Sequence, residues 1–159
     1  MSHPSASLLV LLETAERARD DAVAELEQSR KQVDAAQRQA QSLHDWRNDY
    51  QNRWQAQFRQ AGGVEIMRCY QDFMQRLGSA VSDQDVKVAQ ALAQQQRCQA
   101  TLLERERKVA AISQLLERRQ LEVLRQQARQ EQKATDELAA RQHGASIWRS
   151  EAGGPPSVS

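Results

Sequence analysis

The stretch Trp54-Gln-Ala-Gln-Phe58-Arg-Gln-Ala-Gly62-Gly63-Val-Glu-Ile-Met67-Arg-Cys-Tyr70 decides how this chain folds. At its centre, Gly62-Gly63 is the only double glycine inside a long region of helix-forming sequence. Adjacent glycines release the backbone from the right-handed helical region and end a helix. Upstream, from Ser5 to Ala61, there is neither glycine nor proline. Downstream, from Val64 to His143, there is no proline and one glycine, Gly78. A lone glycine costs about 1 kcal/mol in a helix interior, which a long helix absorbs. The reading is a tail over 1–7, a helix over about 8–61, a turn at about 62–64 and a helix over about 65–143. Gly144 reads as a stop, and the Gly- and Pro-bearing end, 144–159, as disordered by composition.

The period on either side of the break is 3.5. Stepping 3-4-3-4 from Leu8 meets Leu12, Ala15, Arg19, Ala22, Leu26, Ser29, Val33, Ala36, Ala40, Leu43, Arg47, Tyr50 and Trp54. The same step from Met67 meets Tyr70, Met74, Leu77, Val81, Gln84, Val88, Ala91, Gln95, Cys98, Leu102, Arg105, Val109, Ile112 and Leu116, then Arg119 and Val123. A seam this narrow, held over so many heptads, is that of a coiled coil. Two such helices joined by a short break fold back antiparallel. The expected fold is therefore all-α: a long antiparallel two-helix coiled-coil hairpin with unequal arms. At ~1.5 Å per residue the arms span about 80 and about 115 Å. Residue i then faces about residue 123 − i, and the first helix runs out opposite roughly Gln114 to Leu116. Arg118 to Arg141 continues as a single helix. Such an overhang is only marginally stable alone in water and seeks another protein.

Composition agrees. The chain has 159 residues, of which only 4% are aromatic, with 6 Gly and 3 Pro. That is too little ring and turn chemistry for a β-sandwich, a Rossmann domain or a thick-cored enzyme. Its 22 basic and 21 acidic residues leave a net charge of +1. No net field draws it to nucleic acid, so a nucleic-acid-binding arm is disfavoured. The apolar run Leu8 to Leu12 is far short of the ~20 residues of a membrane span. Cys69 and Cys98 form no metal-ligand pattern, and together with the lack of a leader they read as reduced cytosolic thiols. His3, His44 and His143 are scattered and make no catalytic or metal constellation. Gly62-Gly63 is followed by no phosphate-loop lysine. The expectation is no enzyme, no cofactor, no metal and no small-molecule ligand.

Six of the seven aromatic residues lie between Trp46 and Phe73. Gln39, Leu43, Trp46 and Tyr50 share the spacing i, i+4, i+7, i+11, as do Phe73, Leu77, Ala80 and Gln84. In the hairpin these pair as Tyr50 with Phe73, Trp46 with Leu77, Leu43 with Ala80 and Gln39 with Gln84. Some of these rings pack the seam. Trp46 falls off the strict seam, and an exposed Trp on such a helix marks a contact surface.

These motifs carry a resemblance. Trp46-Arg-Asn-Asp-Tyr50, the glycine break, Tyr70-Gln-Asp-Phe73-Met-Gln-Arg-Leu77 and the late Arg129-Gln-Glu-Gln-Lys133-Ala-Thr-Asp-Glu137 are together similar to the pattern of the flagellar export protein FliJ family. The likeness covers about residues 8 to 141, with Trp46 standing where that family usually has Tyr. It implies a cytoplasmic component of the flagellar type III export apparatus, peripheral to the inner membrane and resembling the central stalk of rotary ATPases. The implied partners are the hexameric export ATPase FliI, the cytoplasmic domain of the export gate FlhA, and export chaperones. The implied gate-binding surface is Gln39, Leu43, Trp46, Tyr50, Phe73, Leu77, Ala80 and Gln84. The basic residues Arg118, Arg119, Arg125, Arg129 and Lys133 are expected to meet acidic loops of the ATPase ring. Two other readings are the equivalent stalk of a virulence injectisome and a filament-like homodimer. The aromatic motif leans away from the first and the glycine break from the second.

Overall fold

The computed structural model describes residues 4–58 and 63–153. Two helices account for every described residue except Gly63 and Gly153: α1, Pro4–Phe58, and α2, Val64–Ala152. They pack against each other as an all-α helical hairpin. Cross-helix contacts run in opposite directions along the two sequences. Ala36 meets Gln84, Tyr50 meets Phe73, and Trp54 meets Tyr70. As residue numbers rise on α1 they fall on α2, which defines an antiparallel pair.

The helix ends differ from the sequence expectation at the start of α1 and at the end of α2. Helix α1 begins at Pro4 rather than near Leu8. Proline suits a first turn because its missing N–H has no intrahelical acceptor there and its φ is already helical. Helix α2 passes through Gly144, the expected stop, and ends at Ala152 with Arg149 in its last turn. An isolated glycine is too weak a breaker to end a helix that is bonded on both sides, and a terminal arginine complements the helix dipole. At the break, Gly63 precedes α2 and its carbonyl accepts the N–H of Met67 at 3.2 Å. It is thus the N-cap of α2, and no described glycine has a positive φ. Gly62 of the expected turn and residues 59–61 of the expected first helix lie outside the described residues, as do the last residues of the expected C-terminal tail.

The described residues divide into two compact units, each made of stretches of both helices. The larger is Leu11–Ala110. Its buried side chains are Ala15, Ala22, Leu26, Ser29, Val33, Leu77, Val81 and Cys98, and all of them sit on the 3-4 seam. Several are small, which lets two helices approach closely without the depth of a globular core. Ser29 is the one buried polar residue of this set, and its hydroxyl donates to the Leu26 carbonyl at 2.7 Å. The smaller unit comprises the described residues of Met1–Val10 and Ala111–Ser159. Its buried residues are Leu8 and Leu116, again both on the seam. From Gln120 to Gly153 every residue is exposed except Gly144, which is half-buried. This exposed helix matches the expected overhang.

No side chain of this seam is sealed on all sides, so each deletion costs toward the lower end of core values. Leu26→Ala should destabilise the protein by roughly 2–3 kcal/mol. Chemical denaturation followed by circular dichroism measures this. A loss below about 0.5 kcal/mol would mean that the seam does not hold the helices together.

Candidate functional site

Within the larger unit, six rings gather where the two helices approach the break. Tyr50 and Phe73 stack across the helices with centroids 4.7 Å apart and planes tilted by 50°. Trp54, Phe58 and Tyr70 form a mutual triangle, with centroids 5.1 Å apart for Trp54–Tyr70 and 5.7 Å for each of the other two pairs. Tilted and edge-on rings at these separations are mutually attractive, each pair by roughly 0.5–1.5 kcal/mol beyond its buried area. The rings come together because Tyr50 and Trp54 lie one turn apart on α1, while Tyr70 and Phe73 lie one turn apart on α2.

Trp46 stands outside these ring contacts and is 59% exposed. With Asp49, Tyr50, Arg53 and Phe73 it lines an open groove of about 400 Å³. Asp49 and Arg53 are spaced i, i+4, so both charges border the same aromatic floor. The floor is apolar, the rim carries one charge of each sign, and half-exposed Tyr50 and Phe73 support it. Such a surface buries an apolar side chain while the rim pairs with polar groups around it.

The eight residues of the expected gate surface separate into three groups. Gln39, Trp46, Tyr50 and Phe73 are exposed. Leu43, Ala80 and Gln84 are half-buried. Leu77 is buried in the seam at 8% exposure and supports the surface from beneath. Tyr50 faces Phe73 as expected. The Gln84 side-chain amide donates to the carbonyl of Ala36, one turn before Gln39, at 3.1 Å. A half-buried seam amide is better satisfied by a backbone carbonyl with a spare lone pair than by a solvated side chain.

The structure adds one cross-helix polar contact that the sequence did not signal. His44 Nε2 lies 3.3 Å from Asp85 Oδ1. No local spacing links two residues so far apart in sequence, and only the lateral offset of the helices brings them together. Of the cysteines, Cys98 is buried and receives the Gln94 amide at 3.7 Å, while Cys69 is exposed. No group of three His, Cys, Asp or Glu side chains among the described residues is placed to hold a metal ion. Likewise, no described helix is long and apolar enough to cross a membrane.

Within the smaller unit, the basic residues expected at a ring contact all lie on α2. Arg118, Arg125, Arg129 and Lys133 are exposed, and Arg119 is half-buried. Arg119 borders a second groove, of about 570 Å³, between the start of α1 and the middle of α2. Beyond it, local hydrogen bonds satisfy several polar side chains, as from Gln132 to Asp136 at 3.2 Å and from Thr135 to the Glu131 carbonyl at 2.9 Å.

Packing and surface roles separate at the aromatic cluster. Trp46→Ala should leave stability within about 0.5 kcal/mol, since this ring is mostly solvated and unstacked. Trp54→Ala removes two ring contacts and should cost more than about 1 kcal/mol. Denaturation midpoints of the two variants check this. Equal losses would place Trp46 in the packed cluster.

The model of one protein family, described as flagellar FliJ protein, matches residues 4–146 of the chain. No significant match was found among curated proteins or solved structures. The matched span takes in all of α1, the break with its aromatic cluster, and all but the last turns of α2. The seam, the rings near the break and the exposed stretch of α2 as far as residue 146 all lie within the matched region. The chain belongs to the flagellar FliJ family and is a component of the flagellar export apparatus.

Proposed function

We propose that this protein is a non-enzymatic, stalk-like element that inserts into the ring of the hexameric export ATPase FliI. In this reading it also contacts the cytoplasmic domain of the export gate FlhA and escorts export chaperones. It works in the cytoplasm, held peripherally at the inner membrane by those partners. The observation that carries the ring contact lies in the smaller unit. Leu9 and Val10 on α1, and Leu121, Val123 and Leu124 on α2, are all between 51% and 61% exposed. Successive helical positions are about 100° apart, so Leu121, Val123 and Leu124 project in three different directions from one level of α2. A single partner surface covers one direction. Exposed apolar side chains on more than one side of this stretch, set among Gln120, Glu122 and Arg125, offer contacts to more than one neighbour, as a surrounding ring presents. The interspersed arginines suit this, because forked guanidinium groups pair well with carboxylates of protein loops.

The gate contact rests on the groove around Trp46. A mostly exposed Trp beside half-exposed Tyr and Phe has the composition of a binding hot spot. Arg53 and Asp49 at its rim supply directional polar contacts. The ring and gate surfaces belong to different stretches of both helices, so each is available for separate mutation.

Two measurements test the reading. The chain alone should hydrolyse no ATP, and adding it to purified FliI should raise assembly or turnover of the hexamer. Removing residues 118–159 should abolish that stimulation, and full stimulation by the truncated chain would refute the ring contact. Separately, Trp46→Ala and Phe73→Ala should weaken binding to the cytoplasmic domain of FlhA at least tenfold while preserving ATPase stimulation. Gate affinity unchanged in both variants would remove the aromatic groove as the gate site.

A further inference from the structure

Beyond Val123 the apolar pattern of α2 changes side. The seam positions that follow Val123 are Gln126, Gln130, Lys133 and Glu137, all of them polar. A second 3-4 step, from Leu124 to Trp148, meets five apolar residues, Leu124, Ala134, Leu138, Ala145 and Trp148, and three polar ones, Gln127, Glu131 and Arg141. One position is about 100° of rotation, so this stripe lies on a different face of α2 from the seam. It runs for about 36 Å, which covers the three heptads that a coiled-coil contact needs. All eight residues are exposed, with Leu138 at 58% and Trp148 at 74%.

The two charges in the stripe select its occupant. Glu131 and Arg141 stand at equal distances from its middle, which falls at Asp136. Among the described residues neither has an ion-pair partner, although Glu137 lies one turn before Arg141 and the neighbouring Gln132 closes on Asp136. Laid antiparallel on a copy of itself about Asp136, the stripe sets each Glu131 against the Arg141 of the other copy. The remaining layers are Leu124 with Trp148, Gln127 with Ala145, and Ala134 with Leu138, each occurring twice by the two-fold symmetry. The alternatives fail on charge. A parallel pair in register sets Glu131 against Glu131 and Arg141 against Arg141. An antiparallel pair slipped by one heptad sets each of these charges against an apolar residue. A uniformly acidic or basic helix from another protein satisfies one of the two charges and opposes the other. Polar groups within a seam fix register and orientation in this way, because misalignment leaves them unpaired.

We infer that this exposed stripe is the seat of a second copy of the chain, joined antiparallel through residues 124–148 with Glu131 and Arg141 exchanging ion pairs across the two-fold axis. The like charges nearest that axis are Glu137 and its copy, and Lys133, one turn earlier on each helix, offsets them. The inference stands without the ring-contact reading. Where both hold, self-pairing and ring contact occupy the same stretch of α2 and exclude each other.

The test is sedimentation velocity of the full chain, without FliI, from about 2 to about 200 µM, the range suited to a short coiled coil with polar layers. The chain should pass from monomer to dimer. Glu131→Arg and Arg141→Glu, each alone, should weaken the dimer at least tenfold, since each sets like charges against one another twice. An equimolar mixture of the two single variants should recover the dimer, as should the double variant Glu131→Arg/Arg141→Glu by itself. A fluorescein-labelled double variant should form no heterodimer with the unaltered chain, whereas a parallel pair would favour one. Both positions are exposed, so helix content by circular dichroism should be unchanged in every variant, which separates lost pairing from lost fold.

A chain that stays monomeric over the whole range overturns the inference. So does a dimer that ignores the single charge reversals, or one that does not return in the mixture. Glu137→Gln should tighten the dimer several-fold, and unchanged or weaker pairing would place the axis elsewhere and overturn the register. None of these measurements reads ATPase stimulation, so the ring contact is judged apart, by the effect of removing residues 118–159.

Discussion

A stripe of apolar residues repeating every three and four positions along a helix is covered by one other helix and by nothing larger. That constraint runs through every feature described above. On α1 the buried positions are Leu8, Ala15, Ala22, Leu26, Ser29 and Val33, and on α2 they are Leu77, Val81, Cys98 and Leu116. None is off the seam. Burial of one stripe on each helix supplies the hydrophobic driving force, and it leaves the remaining circumference of both helices in water. The molecule therefore spends few residues on its own core and carries most of its surface at the disposal of partners.

The departures from the seam are where partners are to be sought. Near the break, small residues give way to rings, and two close-packed helices have no room to bury all of them. Trp54, Phe58 and Tyr70 are half-buried against one another, Tyr50 and Phe73 are more exposed, and Trp46 is the most exposed of the six. Tyr50 and Phe73, stacked across the helices, line the groove beside Trp46. At the other site, around the start of α1, Val123 and Leu124 continue the apolar pattern of α2 and are exposed among the described residues.

The polar residues within the seam show how such an interface tolerates them. Ser29 turns its hydroxyl back to the Leu26 carbonyl of its own helix. Gln84 reaches across to the Ala36 carbonyl of the other. Both use backbone acceptors that already take part in helical bonds and have a second lone pair free. Neither residue is left unsatisfied, and the Gln84 bond also helps to fix how far one helix is shifted along the other. His44 and Asp85 add a solvent-exposed link between the same two helices.

Sequence alone determined the period, the break and the sense of the pairing. Each of these is local: the angle of a residue around its helix follows from its position in the chain, and Gly62-Gly63 interrupts the pattern wherever the helices settle. The pairing of Tyr50 with Phe73 was legible for the same reason. The helix ends were less so, because Pro4 and Gly144 are signals whose weight depends on the bonded turns beside them. Only the tertiary structure decided that the Gln84 amide takes the Ala36 carbonyl, that His44 meets Asp85, and that Ser5 and Leu9 share a groove with Leu116 to Gln127. Those outcomes depend on the offset and lateral rotation between two helices, quantities measured in fractions of a turn, and no spacing within either helix encodes them.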